Sequence, residues 1–167
     1  MTVQCRKGDI FEVKLDDGRK RYFQFVCRDL EDLNSDVIRV FKKVFSPEED
    51  PGAGIINEEI DFYVHTSVYA GVRFCLWRKS AHSNEVGSLE IIFRDSLDYG
   101  FRHDESKVQK VSKRWNVWKV NCERVFYEIL PAEYHNAYIG LVCSPYTIAE
   151  IIKNQQTVIP KYYPRYQ

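Results

Sequence analysis

The chain has 167 residues, of which 44% are hydrophobic and 14% aromatic, and its 24 basic and 24 acidic side chains give a formal net charge of zero. This length suits a single domain with a core large enough to fold without a disulfide or a structural metal. Zero net charge argues against a nucleic acid as the partner, because proteins that bind phosphates normally carry a positive excess.

The chain begins with a predicted β-hairpin. Two β-rich runs, residues 8–15 and 19–27, flank the turn Asp16-Asp17-Gly18. Gly18 can take the positive φ that a tight hairpin turn requires. A third run, residues 37–45, again has apolar residues on one face. The three runs predict an antiparallel meander that curls into a small barrel-like sheet.

The middle of the chain starts with a break in the β structure. Residues 46–54 contain two prolines, two glycines and three acids, which do not continue a central strand. Apolar runs at 60–68 and 71–77 then read as strands, although the first is equally consistent with a short helix. Residues 79–87 are predicted to be a polar loop, and residues 88–94 a strand.

A long polar segment, residues 95–114, shows no strand period. Long loops inside a compact domain are often binding segments, so this one is a candidate for partner contact. Residues 105–111 within it are compatible with one or two helical turns.

Two strands are predicted after this loop, at residues 115–120 and 124–130. On the first of them, Trp115 and Val117 lie on one face and Trp118 on the other. One tryptophan must therefore leave the main core face. Either a helix or loop covers it, or it lies on a partner-binding face beside the 95–114 loop.

A C-terminal helix is predicted over residues 144–153. Ser144 can cap the first turn, and Pro145 suits the first helical position because its missing N–H is not needed there. Ile148, Ile151 and Ile152 share one face, so the helix should pack on the sheet. The predicted fold class is α+β: a curled, small barrel-like antiparallel sheet with a C-terminal helix packed on it.

Targeting and redox signals predict a cytoplasmic protein without membrane contact. Residues 1–7 lack the apolar stretch of a signal peptide. Apolar runs stay below the roughly 20 residues that a membrane-spanning helix needs. The five cysteines are odd in number and widely separated, which is typical of free thiols in a reducing compartment.

Catalytic and metal-binding motifs are missing from the sequence. It contains no C-x-x-C, no H-E-x-x-H, no glycine-rich phosphate loop and no glycine-flanked serine elbow. His65 and His82 have no carboxylate within two positions. His103, Asp104 and Glu105 are adjacent, so on an extended chain they point in alternating directions. We therefore predict no catalytic residue, no metal and no cofactor.

Several motifs in a fixed order carry a family resemblance. They are Gly8-Asp9-Ile10-Phe11-Glu12-Val13, the tryptophan strand 115–120, Ala137-Tyr138-Ile139-Gly140, and Ser144-Pro145 opening an isoleucine-rich helix. In this order the chain resembles bacterial immunity proteins of polymorphic toxin systems, specifically the immunity protein family numbered twenty-six. The resemblance implies one immunity-protein-like domain over residues 1–167. It also implies a non-enzymatic cytoplasmic α+β protein that binds and neutralises a cognate toxin, often encoded beside it.

The predicted partner contacts combine carboxylates and aromatic rings, which would fill the active-site cleft of the toxin. A nucleic-acid-binding small β-barrel, with a basic patch at residues 110–114, is the alternative function, and a hydrolase that uses a histidine is the third. The predicted contact residues are Asp95, Asp98, Tyr99, Phe101, Asp104, Glu105, Trp115 and Trp118.

Overall fold

Two β-sheets and two α-helices form the described part of the computed structural model, which comprises residues 4–99, 109–160 and 163–167. The first sheet has the strand order β4-β3-β2-β1-β5 and the second the order β8-β7-β6-β9. This arrangement confirms the α+β class, and neither sheet closes into a barrel. The strands are β1 (Asp9–Lys14), β2 (Lys20–Asp29), β3 (Ser35–Phe41), β4 (Ile60–Thr66), β5 (Arg78–His82), β6 (Ile92–Ser96), β7 (Trp115–Lys119), β8 (Val125–Tyr127) and β9 (Tyr138–Ile139). The helices are α1 (Val68–Arg73), α2 (Pro145–Asn154) and 3-10 turns at Gly52–Asn57 and Ala132–Tyr134.

The predicted hairpin is present as β1 and β2, which pair antiparallel. Gly18 has a φ of 86°, and the N–H of Leu15 donates to the carbonyl of Arg19 over 2.8 Å to close the turn. The third predicted strand is β3, which pairs antiparallel with both β2 and β4. The antiparallel meander predicted for the N-terminal region is therefore confirmed.

Helix α2 packs on the first sheet as its apolar period predicts. The Ser144 hydroxyl accepts a hydrogen bond from the N–H of Thr147 over 3.1 Å, and Pro145 is the first helical residue. The helix ends at Asn154, where Gln155 takes a left-handed conformation. Isoleucines of α2 and side chains of β1 to β4 form one cluster: Phe11, Val13, Phe23, Ile38, Val40, Val64, Ile148, Ile151 and Ile152.

The segment between β4 and β6 differs from its prediction in two places. Residues 71–77 do not form a strand, because the chain turns as α1 after Ser67 and returns Trp77 to the core. Residues 79–87 are not wholly a loop, because β5 pairs with β1 at the edge of the first sheet. The polar composition of β5 hid this strand. Its charged side chains Arg78 and Lys79 pair with the buried carboxylates of Glu12 and Asp9.

The second sheet contains the other predicted strands, with shifted ends. β6 pairs antiparallel with β7 and parallel with the short strand β9, which was not predicted. β8 covers only three residues of the predicted strand 124–130. Of the predicted helical turns at 105–111, residues 105–108 lie outside the described residues. Val111 forms a parallel bridge with Arg165 instead of a helical turn.

Gly71 is the position where α1 touches the core most closely, since a Cβ there would overlap the indole ring of Trp77. We expect Gly71→Ala to lower the free energy of unfolding by about 1–3 kcal/mol, because overpacking forces the ring or the helix to shift. Gly54→Ala is the matched control, since a Cβ there has no atom within 4 Å. Urea unfolding of both variants measures the difference. Equal stabilities would mean that α1 does not pack on Trp77 as described.

Candidate interaction surface

Asp29, at the end of β2, joins the two sheets through a buried hydrogen-bond cluster. Its Oδ2 accepts from Nε2 of His65 over 3.0 Å and from Nε1 of Trp118 over 3.1 Å, and its Oδ1 accepts from the N–H of Asn121 over 3.2 Å. We call these four residues the Asp29 cluster. Since His65 belongs to β4 and Trp118 to β7, one carboxylate holds donors from both sheets.

Burial and hydrogen bonds together set the charge states within the Asp29 cluster. Burial lowers the pKa of His65, against the opposing effect of the Asp29 carboxylate. Burial alone would raise the pKa of Asp29, but the hydrogen bonds from His65, Trp118 and Asn121 outweigh it and lower the pKa. A neutral His65 fits the geometry, because its buried Nδ1 has no hydrogen-bond partner among the described residues. The side chains of His65 and Asp29 are both 0% exposed, so His65 cannot reach a dissolved substrate.

Asp98 is one of the predicted contact residues, and it binds residues 112–114 next to β7. Its carboxylate accepts from the N–H of Lys113 over 2.9 Å, from Nε of Arg114 over 2.7 Å and from the hydroxyl of Ser112 over 3.0 Å. Burial would raise the pKa of Asp98, but these donors lower it overall. Its side chain is only 6% exposed, so it positions the loop and offers little surface to a partner.

Asp95 and Tyr99 lie near the C-terminal tail. The Tyr163 hydroxyl donates to Oδ1 of Asp95 over 3.4 Å, and the Tyr99 and Tyr163 ring centroids are 5.2 Å apart. Burial raises the pKa of Asp95. Both residues are half-buried. Phe101, Asp104 and Glu105, the other predicted contacts of this loop, lie outside the described residues.

Trp115 and Trp118 are both core residues, so neither of these predicted contact residues offers surface to a partner in this structure. Their exposed fractions are 0% and 2%. They do point to opposite faces of β7, as predicted, but both faces are covered. Trp115 packs with Val117 and Leu130, whereas Trp118 packs with Phe93 and the first sheet.

An exposed apolar surface lies at β8, next to the base of the predicted loop. Phe126 and Ile129 are 52% and 63% exposed. A groove of about 480 Å³ lies between Phe126, Ile129 and the loop residues Lys113 and Arg114. We define the β8 surface as Lys113, Arg114, Phe126, Glu128 and Ile129.

The β8 surface has an apolar centre and a rim of mixed charge. Lys113, Arg114 and Glu128 lie beside Phe126, and Arg114 is paired with Asp98 at 2.7 Å. Such a composition is common at protein–protein interfaces. The pairing also removes part of the positive charge that the sequence places at residues 110–114. Sequence reasoning missed Phe126 and Ile129. The signal available was a short apolar run flanked by charged residues, which is typical of an edge strand.

No protein-family model, curated protein or solved structure matches this chain. The two α-helices of the described residues contain 6 and 10 residues, and neither has the length and hydropathy to span a membrane.

Proposed function

We propose that this chain is a cytoplasmic, non-enzymatic inhibitor of the immunity type, which binds a cognate protein toxin and blocks its active site. The observation that carries the proposal is the pair of exposed side chains Phe126 and Ile129 on the β8 surface, with charged residues around them. Monomeric proteins rarely expose large apolar side chains together unless the patch binds something.

Binding at the β8 surface would combine two contributions. Burying Phe126 and Ile129 against the toxin removes apolar area from water at about 25 cal/mol per Å². β8 pairs with β7 on one side, and its other side has no paired strand among the described residues. A strand of the toxin can therefore add to this edge through backbone hydrogen bonds, while the side-chain pockets supply specificity.

The charge balance of this chain indicates how strongly charged the contact face of the toxin is. Many inhibitors steer their targets through a strong opposite charge, which raises the association rate more than the affinity. Formal neutrality of this chain and the mixed charges at β8 fit a toxin that is not strongly basic near its contact face. Association would then be only weakly dependent on salt.

Co-expression with the toxin domain encoded beside this chain tests the proposal. We expect the chain to restore growth of cells that express the toxin, and the two purified proteins to elute together from a sizing column. A catalytically inactive toxin variant should bind equally well, because binding needs the shape of the cleft and not its activity. Unchanged toxicity together with separate elution would reject the proposal for that pair.

A further inference from the structure

A second groove, of about 620 Å³, lies between β1, β5, the turn after α1 and the end of α2. We call it the α1 groove. It is separate in sequence and in lining residues from the β8 surface, and the function proposed above makes no use of it. Its lining has two parts: an apolar floor and a charged rim.

The floor of the α1 groove consists of Val72, Leu76 and Trp77. Val72 and Leu76 are half-buried against the main core, and Trp77 is 4% exposed. Beside the groove, the ring of Phe74 stacks on Tyr146 of α2 with centroids 5.2 Å apart, and these two side chains are 52% and 55% exposed. The floor and the neighbouring ring pair offer contact to a large apolar side chain.

The rim of the groove has more cationic than acidic side chains. Four cationic side chains line it, against the single carboxylate of Glu12: Lys14, Arg78, Lys79 and Lys153. The charge of Glu12 is already compensated, because Arg78 donates to it through Nε over 3.0 Å and through Nη2 over 3.2 Å. Lys79 is paired with Asp9 at 2.7 Å, and Lys153 lies 3.5 Å from the exposed carboxylate of Asp16 and 3.7 Å from that of Glu150. Lys14 has no ion-pair partner in the part of the chain that the structure describes.

We propose that the α1 groove binds an acidic segment of a partner protein, with an apolar side chain on the floor and carboxylates against the lysine rim. The proposal goes beyond toxin neutralisation and does not depend on it. Charge complementarity selects an acidic occupant at two lysines of the mouth. Lys14 has no ion-pair partner among the described residues, and the contacts of Lys153 with two exposed carboxylates are long, at 3.5 and 3.7 Å, so both lysines can bind the carboxylates of a partner. The apolar floor selects a peptide that carries at least one large hydrophobic residue.

A nucleic acid fits this groove less well than a peptide. Single-stranded nucleic acids bind by stacking bases on free aromatic faces. Trp77, the aromatic residue among those that line the groove, is buried and donates its Nε1–H to the carbonyl of Val68 over 3.0 Å. With 4% of its surface exposed, this side chain has no open face for a base.

A peptide-display selection tests the proposal. Random 12-residue peptides are selected on the purified wild-type chain, and the affinities of enriched peptides are then measured by fluorescence anisotropy. The groove variant Lys14→Glu/Lys153→Glu is compared with Lys42→Glu/Lys43→Glu, which makes the same change in net charge on exposed lysines outside the groove. Thermal melts of both variants show whether they fold.

We expect the enriched peptides to combine acidic residues with a large apolar residue. Their affinity should fall at least about ten-fold for the groove variant and less than about two-fold for the control, since reversed charges repel the carboxylates. Selection of non-acidic peptides, equal losses in both variants, or no enrichment would overturn the proposal. So would a 12-nucleotide single-stranded DNA that binds the wild type and not the groove variant, because it would assign the groove to nucleic acid.

Discussion

Phe126→Asp should weaken binding of the cognate toxin by about 100-fold or more, which corresponds to about 2.7 kcal/mol. The Phe126 side chain is 52% exposed at the edge of the second sheet, so binding to the toxin would bury this exposed part. A carboxylate at this position would have to lose its water when the toxin covers it, which adds to the lost apolar contact. Titration calorimetry with the purified toxin measures the loss.

Phe74→Asp is the matched control for this prediction. Phe74 has the same exposed fraction, 52%, but lies beside the α1 groove. We expect it to leave the affinity for the toxin within about two-fold of wild type, since the change is remote from the proposed contact. Both variants should melt close to the wild type, because neither ring is a core residue. If Phe74→Asp abolished binding and Phe126→Asp did not, the toxin contact would lie beside the α1 groove and not at the β8 surface.

Asp29→Ala should lower the free energy of unfolding by about 3–5 kcal/mol. The substitution leaves two buried donors, the ring N–H groups of His65 and Trp118, without an acceptor, and it removes the acceptor of the partly buried backbone N–H of Asn121. It also removes the side chain that joins β2, β4 and β7. Asp17→Ala is the control, since that carboxylate is exposed and pairs with Arg19 in the hairpin turn. Guanidinium unfolding should place the control close to the wild type.

The pH dependence of stability gives a second measure of the Asp29 cluster. The pKa of His65 is lowered from 6.5 on folding, so the unfolded chain binds more protons below pH 6.5 and stability falls as the pH drops. The pKa of Asp29 is lowered from 3.8, so its contribution is present above that pH and is lost as the pH falls further. His65→Gln should remove the loss of stability that the protonation of His65 causes below pH 6.5. A wild-type stability that rises on acidification from pH 6.5 would contradict the arrangement.

Local signals in the sequence predicted much of the fold. Gly18 in the hairpin turn and Ser144 with Pro145 at the start of α2 act within a few residues, so their effect is readable without the tertiary structure. The alternation of Trp115 and Trp118 across β7 was predicted for the same reason. These features depend on backbone conformation and side-chain period alone.

The features that the sequence did not predict depend on contacts between residues that are far apart in the chain. β5 is a strand because Arg78 and Lys79 find the carboxylates of Glu12 and Asp9, which lie more than 60 positions earlier in the chain. His65 and Asp29 are 36 positions apart, so no local pattern pairs them. The burial of Trp118 depends on the packing of one sheet against the other. Because this packing buries the tryptophans, the candidate contact residues are Phe126 and Ile129 at the neighbouring edge strand.

Titrating the toxin's activity with increasing amounts of this chain tests most directly whether it acts by covering its target. A passive blocker consumes one molecule of itself for each toxin molecule. We therefore predict that activity falls linearly and reaches zero at a molar ratio of one. Loss of activity at ratios far below one, continuing with time, would show that the chain modifies the toxin chemically, and it would contradict the account given above.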